Sequence, residues 1–302
     1  MATVYRINHR TEYLYEQPVS SSYGQLRMLP RELPGQRCRF AWVSVTPTPE
    51  LNRERLDFFG NRVTYFALHE PHERLCVEVT SVVEVEGRGA GLSLLGEQSW
   101  ETVRDTIGAG DAAGAGIPHE VIQYVLDSPR VARSETYRQY AQAAFKPGAG
   151  VFEAIAALCS KIYTEFEYRP GSTSVTTSLE EAFGNRRGVC QDFAHLAIAC
   201  LRSLGLPARY VSGYLETVPP PGMQKLTGTD GSHAWLSVFI PDAGWVDVDP
   251  TNDQFVGDRH VTAAVGRDYG DVPPMSGVIY TVGREARLEV AVDVTALPPD
   301  PV

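Results

Sequence analysis

The chain has 302 residues, 43% hydrophobic and 21% charged, with a formal net charge of −10 from 37 acidic and 27 basic side chains. That length is enough for two domains with their own cores, and the composition is that of a folded globular protein rather than a disordered or collagen-like one. The acidic balance offers no concentrated basic face, so no nucleic-acid partner is expected. No stretch approaches the ~20 apolar residues a membrane helix needs, so no membrane partner is expected either.

The opening residues Met1 to Arg6 lack the basic region and apolar run of a signal peptide. Five cysteines, Cys38, Cys76, Cys159, Cys190 and Cys200, are an odd number at scattered spacings. Reduced thiols in a cytoplasmic protein are therefore expected rather than a disulfide framework. Residues 1–88 read as a small antiparallel β-sheet or sandwich domain. Tyr5, Ile7, Thr11, Tyr13 and Tyr15 share one parity, and so do Val77, Val79, Val83 and Val85, with Glu78, Glu84 and Glu86 opposite. Further strands are expected over 40–45 and 63–67, the second entered through a Gly60-Asn61 turn. His9 lies in line with the tyrosines and is expected to be a half-buried strand residue with a hydrogen-bond partner.

Residues 89–150 read as a Gly/Ala-rich linker followed by a helical segment, with helical tendency over 117–145 broken at Pro129. The third region, 151–302, opens with Phe152, Ile155, Cys159, Ile162 and Phe166, an amphipathic helix that buries Cys159. A short helix over 179–183 follows a Ser/Thr-rich stretch. Beyond it stands Gly188-Val189-Cys190-Gln191-Asp192-Phe193-Ala194-His195. Phe193, Leu196, Ala197, Cys200 and Leu204 mark one helix face, ended by Gly205 and Pro207, so Cys190 sits at the helix start. Unpaired N–H groups and the helix dipole there favour a thiolate nucleophile. His195 is about 160° from Phe193 at ~100° per residue and is expected to serve packing rather than catalysis. Asp192 is expected to cap the helix or tether a loop.

A strand is expected over 208–214, then a proline-rich loop over 219–230 that could border a cleft and carry specificity. Residues 232–239 and 245–249 alternate and are expected to form an antiparallel hairpin. If its loop holds an odd number of residues centred near Pro241 or Asp242, His233 and Asp249 share a face, opposite or diagonal. Asp249 can then fix the imidazole tautomer while the other ring nitrogen faces Cys190. Asp247 has the same parity and stays open as an alternative on this ground. Leu288, Val290, Val292 and Val294 predict a final strand.

Arg187 to Ala194, His233-Ala234-Trp235, and Gly244-Trp245 leading to Asp249-Pro250-Thr251 resemble the transglutaminase-like superfamily. More narrowly, they are similar to its bacterial transglutaminase-like cysteine peptidases. The segments 206–214 and 266–272 and the run from Tyr5 to Tyr15 extend the resemblance over nearly the whole chain. It implies an α+β fold: a papain/transglutaminase-like core, with the nucleophile helix on an antiparallel sheet, preceded by an N-terminal antiparallel β domain. It also selects Asp249 over Asp247, because the family carboxylate stands four residues after the tryptophan in an Asp-x-Thr segment.

The expected activity is thiol acyl transfer on a peptide or protein amide through Cys190, His233 and Asp249. Hydrolysis is preferred to amine transfer, and a scaffold that keeps the fold without turnover is the reading from another class. The Cys190 N–H is one oxyanion donor. Tyr168, Gln191 and Trp235 are candidates for the second donor or for cleft walls. No cofactor is expected. Cys190, His195, His233 and Asp249 are types that zinc accepts, but no CxxC or HExxH spacing supports a metal.

Overall fold

The computed structural model describes residues 2–87, 98–110, 117–217, 231–283 and 286–298. The expected specificity loop at 219–230 and much of the Gly/Ala-rich linker lie outside the described residues.

The N-terminal region is one antiparallel sheet built around β1 (Thr3–Leu26). Tyr5, Ile7 and His9 of β1 are buried while Arg6 and Asn8 are exposed, the period-2 pattern of a strand with one face on a core. The first half of β1 pairs with β5 (His72–Val85), and its second half with β4 (Arg62–Leu68). Pairing with β5 skips from Leu14 to Val19, across Pro18, which has no N–H to give the ladder. β2 (Gln36–Thr46) and β3 (Leu51–Leu56) extend the sheet outward. The expected final strand is β14 (Ala286–Ala296). With β13 (Met275–Thr281) it pairs along β1, so the tail that the sequence reading grouped with the core adds two strands to the N-terminal sheet. An alternating strand specifies a buried face, not a partner, and its neighbour is decided by tertiary contacts.

Helices α1 (Trp100–Ala109), α2 (His119–Ile122) and α3 (Glu135–Gln142) contribute Trp100, Val103, Val121 and Tyr137 to the same core as the later helices. They are followed by α4 (Val151–Glu165), β6 (Glu167–Tyr168), α5 (Leu179–Asn185), β7 (Arg187–Gly188) and α6 (Cys190–Ser203). A second antiparallel sheet has the order β11-β10-β9-β8-β12: β8 (Ala208–Leu215), β9 (Ser232–Ile240), β10 (Gly244–Asp249), β11 (Gln254–Phe255) and β12 (His260–Gly266). This is the α+β arrangement expected, with α6 lying on β8 and β9.

α6 is not the one-faced helix its spacing suggested. Every residue from Gln191 to Arg202 is buried, because α3, α4 and α5 cover the side turned away from the sheet. From Phe193 to Leu201 only His195 is polar, which is the composition of a helix hydrophobic all round. Gly205, at φ 86°, closes it: Gly205 N–H reaches Arg202 O at 3.0 Å and Leu206 N–H reaches Leu201 O at 2.9 Å. Among the described residues no helix is long and apolar enough to cross a membrane.

Arg202 is 1% exposed at the end of α6. Its guanidinium donates to Ala208 O (3.0 and 2.9 Å), Leu126 O (3.2 Å), Ser128 Oγ (3.0 Å) and Arg267 O (2.6 Å). It thus joins the helix to β8 and to two loops, and burial pushes its pKa down to about 10. Removing it orphans buried carbonyls, so Arg202→Ala is expected to cost about 3–5 kcal/mol in denaturant unfolding. Arg202→Lys recovers only part of that, because an ammonium cannot reproduce the planar fork of donors.

Candidate active site

Cys190 is the first residue of α6 and is partly exposed. The turn before it is fixed by Asp192, whose Oδ2 accepts from Val189 N–H at 2.8 Å and from Thr173 Oγ1 at 2.7 Å. Asp192 therefore both caps the helix and tethers the Ser/Thr-rich loop, and burial raises its pKa. A Cβ on Gly188 would stand 2.6 Å from that same Oδ2, so only glycine lets the chain pass this close to the cap.

The β9–β10 register pairs Ile240 with Gly244 and Leu236 with Val248, which leaves the odd loop 241–243 centred on Asp242. His233 and Asp249 consequently lie diagonally on one face. His233 Nε2–H donates to Asp249 Oδ2 at 2.7 Å, and Cys190 is the other side chain that favours the charged imidazole. With Nε2 committed to the carboxylate, Nδ1 is the nitrogen left for sulfur. Burial lowers the His233 pKa, but the interactions with Asp249 and then Cys190 outweigh it and raise the pKa to about 10. Burial raises that of Asp249, and its bonds to His233 and His260 prevail, holding it well below the ordinary carboxylate range. Asp247, the alternative carboxylate, accepts instead from Ser237 Oγ.

Around Asp249 stand Thr251 of its own motif and two residues the sequence reading did not single out, Asn252 and His260. Asn252 Nδ2 donates to Oδ2 at 2.7 Å, His260 Nε2–H to the same oxygen at 3.1 Å, and Thr251 N–H to Oδ1 at 2.9 Å. Asn252 follows directly on the motif, three residues past Asp249, and could have been found from that proximity. His260 had no such signal, since it starts a strand on the far side of the sheet. His233, Asp249 and His260 each bring one ligand-type atom within 4.8 Å of the others. The amide N–H of Asn252 and the backbone N–H of Thr251 aim at the same carboxylate, a donor set that suits an anion acceptor better than a cation.

The remaining candidates fall differently. Tyr168 is 51% exposed on β6 and pairs in register with Gly188, its ring 6.2 Å edge-on from Phe193. Burial, followed by Cys190 and Asp249, raises its hydroxyl pKa. Gln191 is buried in the first turn of α6. Trp235 is fully buried and so is no cleft wall: it is one step inward from His233 on β9, and its ring lies 5.9 Å from His233 and 5.2 Å edge-on from His260. His195 accepts from Tyr269 N–H at 3.1 Å and packs on Tyr210, and burial pushes its pKa down to about 3. The structure keeps it out of the cluster.

Residues 5–84 match the family model of the bacterial transglutaminase-like N-terminal region, and residues 138–250 match that of the transglutaminase-like superfamily. An uncharacterized protein of Mycobacterium tuberculosis is 42% identical over 297 residues, spanning 96% of this chain and 92% of its own. A protein-glutamine gamma-glutamyltransferase of Pseudomonas aeruginosa is 35% identical over 101 residues, 32% of this chain and 15% of the transferase. Among solved structures, a candidate cysteine protease from Cytophaga hutchinsonii aligns with a TM-score of 0.75 over 100% of this chain and 93% of its own. At 24% identity the two share a fold.

Gly213 sits opposite His233 in the β8–β9 ladder. A Cβ there would fall 2.2 Å from Val261 O and 2.5 Å from the Trp235 ring. Gly213→Ala must therefore push β12 off β8 or tilt the indole under the two histidines. It is expected to destabilise the fold by about 1–3 kcal/mol, read as a lower denaturation midpoint with unchanged slope.

Proposed function

The chain belongs to the transglutaminase-like superfamily, and from that premise we propose that it is a thiol acyl-transfer enzyme, a cysteine peptidase or amidase that cleaves peptide or isopeptide-like amides. The observation that carries this reading is the line formed by Cys190, His233 and Asp249, with the 2.7 Å bond behind the imidazole. An imidazolium across from sulfur favours the thiolate as nucleophile. In the proposed cycle Cys190 Sγ attacks the amide carbon, and the oxygen becomes an oxyanion that accepts from the Cys190 N–H. That N–H is one of the first-turn donors a helix cannot satisfy internally. His233 protonates the departing amine as the C–N bond breaks, leaving a thioester. It then takes a proton from water, which attacks the thioester and releases the acid and the thiol. Tyr168, half-exposed beside the nucleophile turn, is the candidate for a second oxyanion donor. A cytoplasmic setting is part of the proposal, supported by five free cysteines.

A second reading, with an amine in place of water as acceptor, draws on the partial likeness to the Pseudomonas glutamyltransferase. A glutamine-containing peptide incubated with a labelled primary amine separates the two. Formation of the hydrolysed carboxylate product outrunning label incorporation is expected, and the reverse ratio would favour transfer. Cys190→Ala is expected to abolish both, while retained turnover would sink the proposal.

The charged His233–Asp249 pair also ties stability to pH. A histidine with a raised pKa stabilises fully below its ordinary value of 6.5, and the contribution is lost as pH rises through about 10. A carboxylate with a depressed pKa stabilises above its ordinary 3.8 and loses that contribution as pH falls through its folded value. The gap in thermal midpoint between wild type and Asp249→Asn is thus expected to be widest between about pH 4 and pH 6.5 and to narrow on either side. A gap that does not vary with pH would contradict it.

A further inference from the structure

Asp249 Oδ2 is shared between two histidines. Opposite His233, His260 is 1% exposed, donates through Nε2, and stands edge-on to Trp235. Its Nδ1 has no partner among the described residues, so all of its hydrogen bonding is directed at the carboxylate. A buried ring with one bond, aimed at the group that orients the base, is placed to position rather than to react.

His260 opens β12, the edge strand of the core sheet, and that edge is covered by the N-terminal sheet. The Gln36 amide meets the Thr262 peptide in both directions: Nε2 donates to its carbonyl and Oε1 accepts from its N–H, each at 2.8 Å. Asn61 does the same with Val265, again at 2.8 Å twice. Arg31 N–H adds a bond to Thr262 O at 3.1 Å. Both amide residues are buried, and Tyr5, Ile7, Val83 and Val85 pack with Val261 and Ala263 beside them. Two-point pairing between a side-chain amide and a peptide group sets the register of a strand, because a one-residue slip turns the peptide away.

We propose that His260 is a positioning residue for the Asp249 carboxylate, and that the N-terminal sheet sets where His260 stands through Gln36 and Asn61 on β12. This rests on the triad reading and deepens it, making the first domain a working part of the site. The titratable groups that interact with Asp249 are His233 on β9, His260 on β12, Cys159 on α4 and Tyr168 on β6, and Cys190 on α6 interacts with His233. Of these, the two histidines hold it ionised. Loss of the His260 donor makes the buried carboxylate easier to protonate, so the acid limb of any reaction that needs it moves to higher pH.

The test is alkylation of Cys190 in the full chain by iodoacetamide from pH 4.5 to 8, followed by mass spectrometry at that site. His260→Phe is expected to lower the rate at pH 6 by about 10-fold or more and to move the acid limb upward. His260→Gln, which keeps an Nε2 donor, is expected to recover most of the rate. Gln36→Leu should shift the limb the same way by less, and should add little to His260→Phe. Wild-type behaviour in His260→Phe at every pH, or a slower rate with an unmoved limb and no rescue by glutamine, overturns the positioning role. A silent Gln36→Leu overturns the part assigned to the N-terminal sheet. If His260→Phe shows no cooperative melt, nitrogen-15 shifts in the unaltered chain decide: a proton on Nε2 of His260 supports the proposal and one on Nδ1 overturns it. A wild-type Cys190 no more reactive than a free thiol would remove the triad reading, a result separate from all of these.

Discussion

A carboxylate sealed from water stays ionised only if donors surround it, and that requirement at Asp249 organises much of this molecule. The effective penalty for burying such a charge is several kcal/mol, and Asp249 has no solvent exposure at all. Its two oxygens accept from the neighbouring turn through Thr251 and Asn252, from β9 through His233, and from β12 through His260. Three separated stretches of chain therefore have to converge on one atom pair. A mismatch in any of them would leave a charge unpaired, which makes the arrangement specific as well as stable.

The Cys190 side is built by a different device. α6 is buried along nearly its whole length, so the position of Cys190 is set by packing on both sides rather than by one hydrophobic face. Ala194, Ala197 and Ala199 let the neighbouring elements approach closely, while Asp192 and Gly188 fix the turn that presents the sulfur. Arg202 anchors the far end through neutral carbonyls. A rigid helix start is what the proposed thiol chemistry asks for, since a displacement of one ångström between reacting atoms costs orders of magnitude in rate.

The N-terminal sheet is continuous with this machinery. β1 runs through its centre, β13 and β14 return to β1, and buried amides from β2 and from the turn before β4 cover the edge of β12. An unpaired edge strand is an aggregation hazard. Covering it with matched side-chain amides removes that hazard and ties one sheet to the other.

Local order was legible in the residues themselves. The tyrosine and valine parities marked β1 and β5, the cysteine with its three-and-four spacing marked α6, and the alternation of 232–239 and 245–249 put His233 and Asp249 on one face on condition of an odd turn, because strand and helix periods are properties of consecutive residues. Aspartate at the third position of α6 announced the cap for the same reason. What the tertiary structure alone decided was partnership between distant segments: β14 against β1, His260 behind Asp249, Gln36 and Asn61 along β12, and Trp235 under the histidines instead of in a cleft. Those pairings carry no periodic signature, because a strand specifies which face is buried and leaves open what it is buried against.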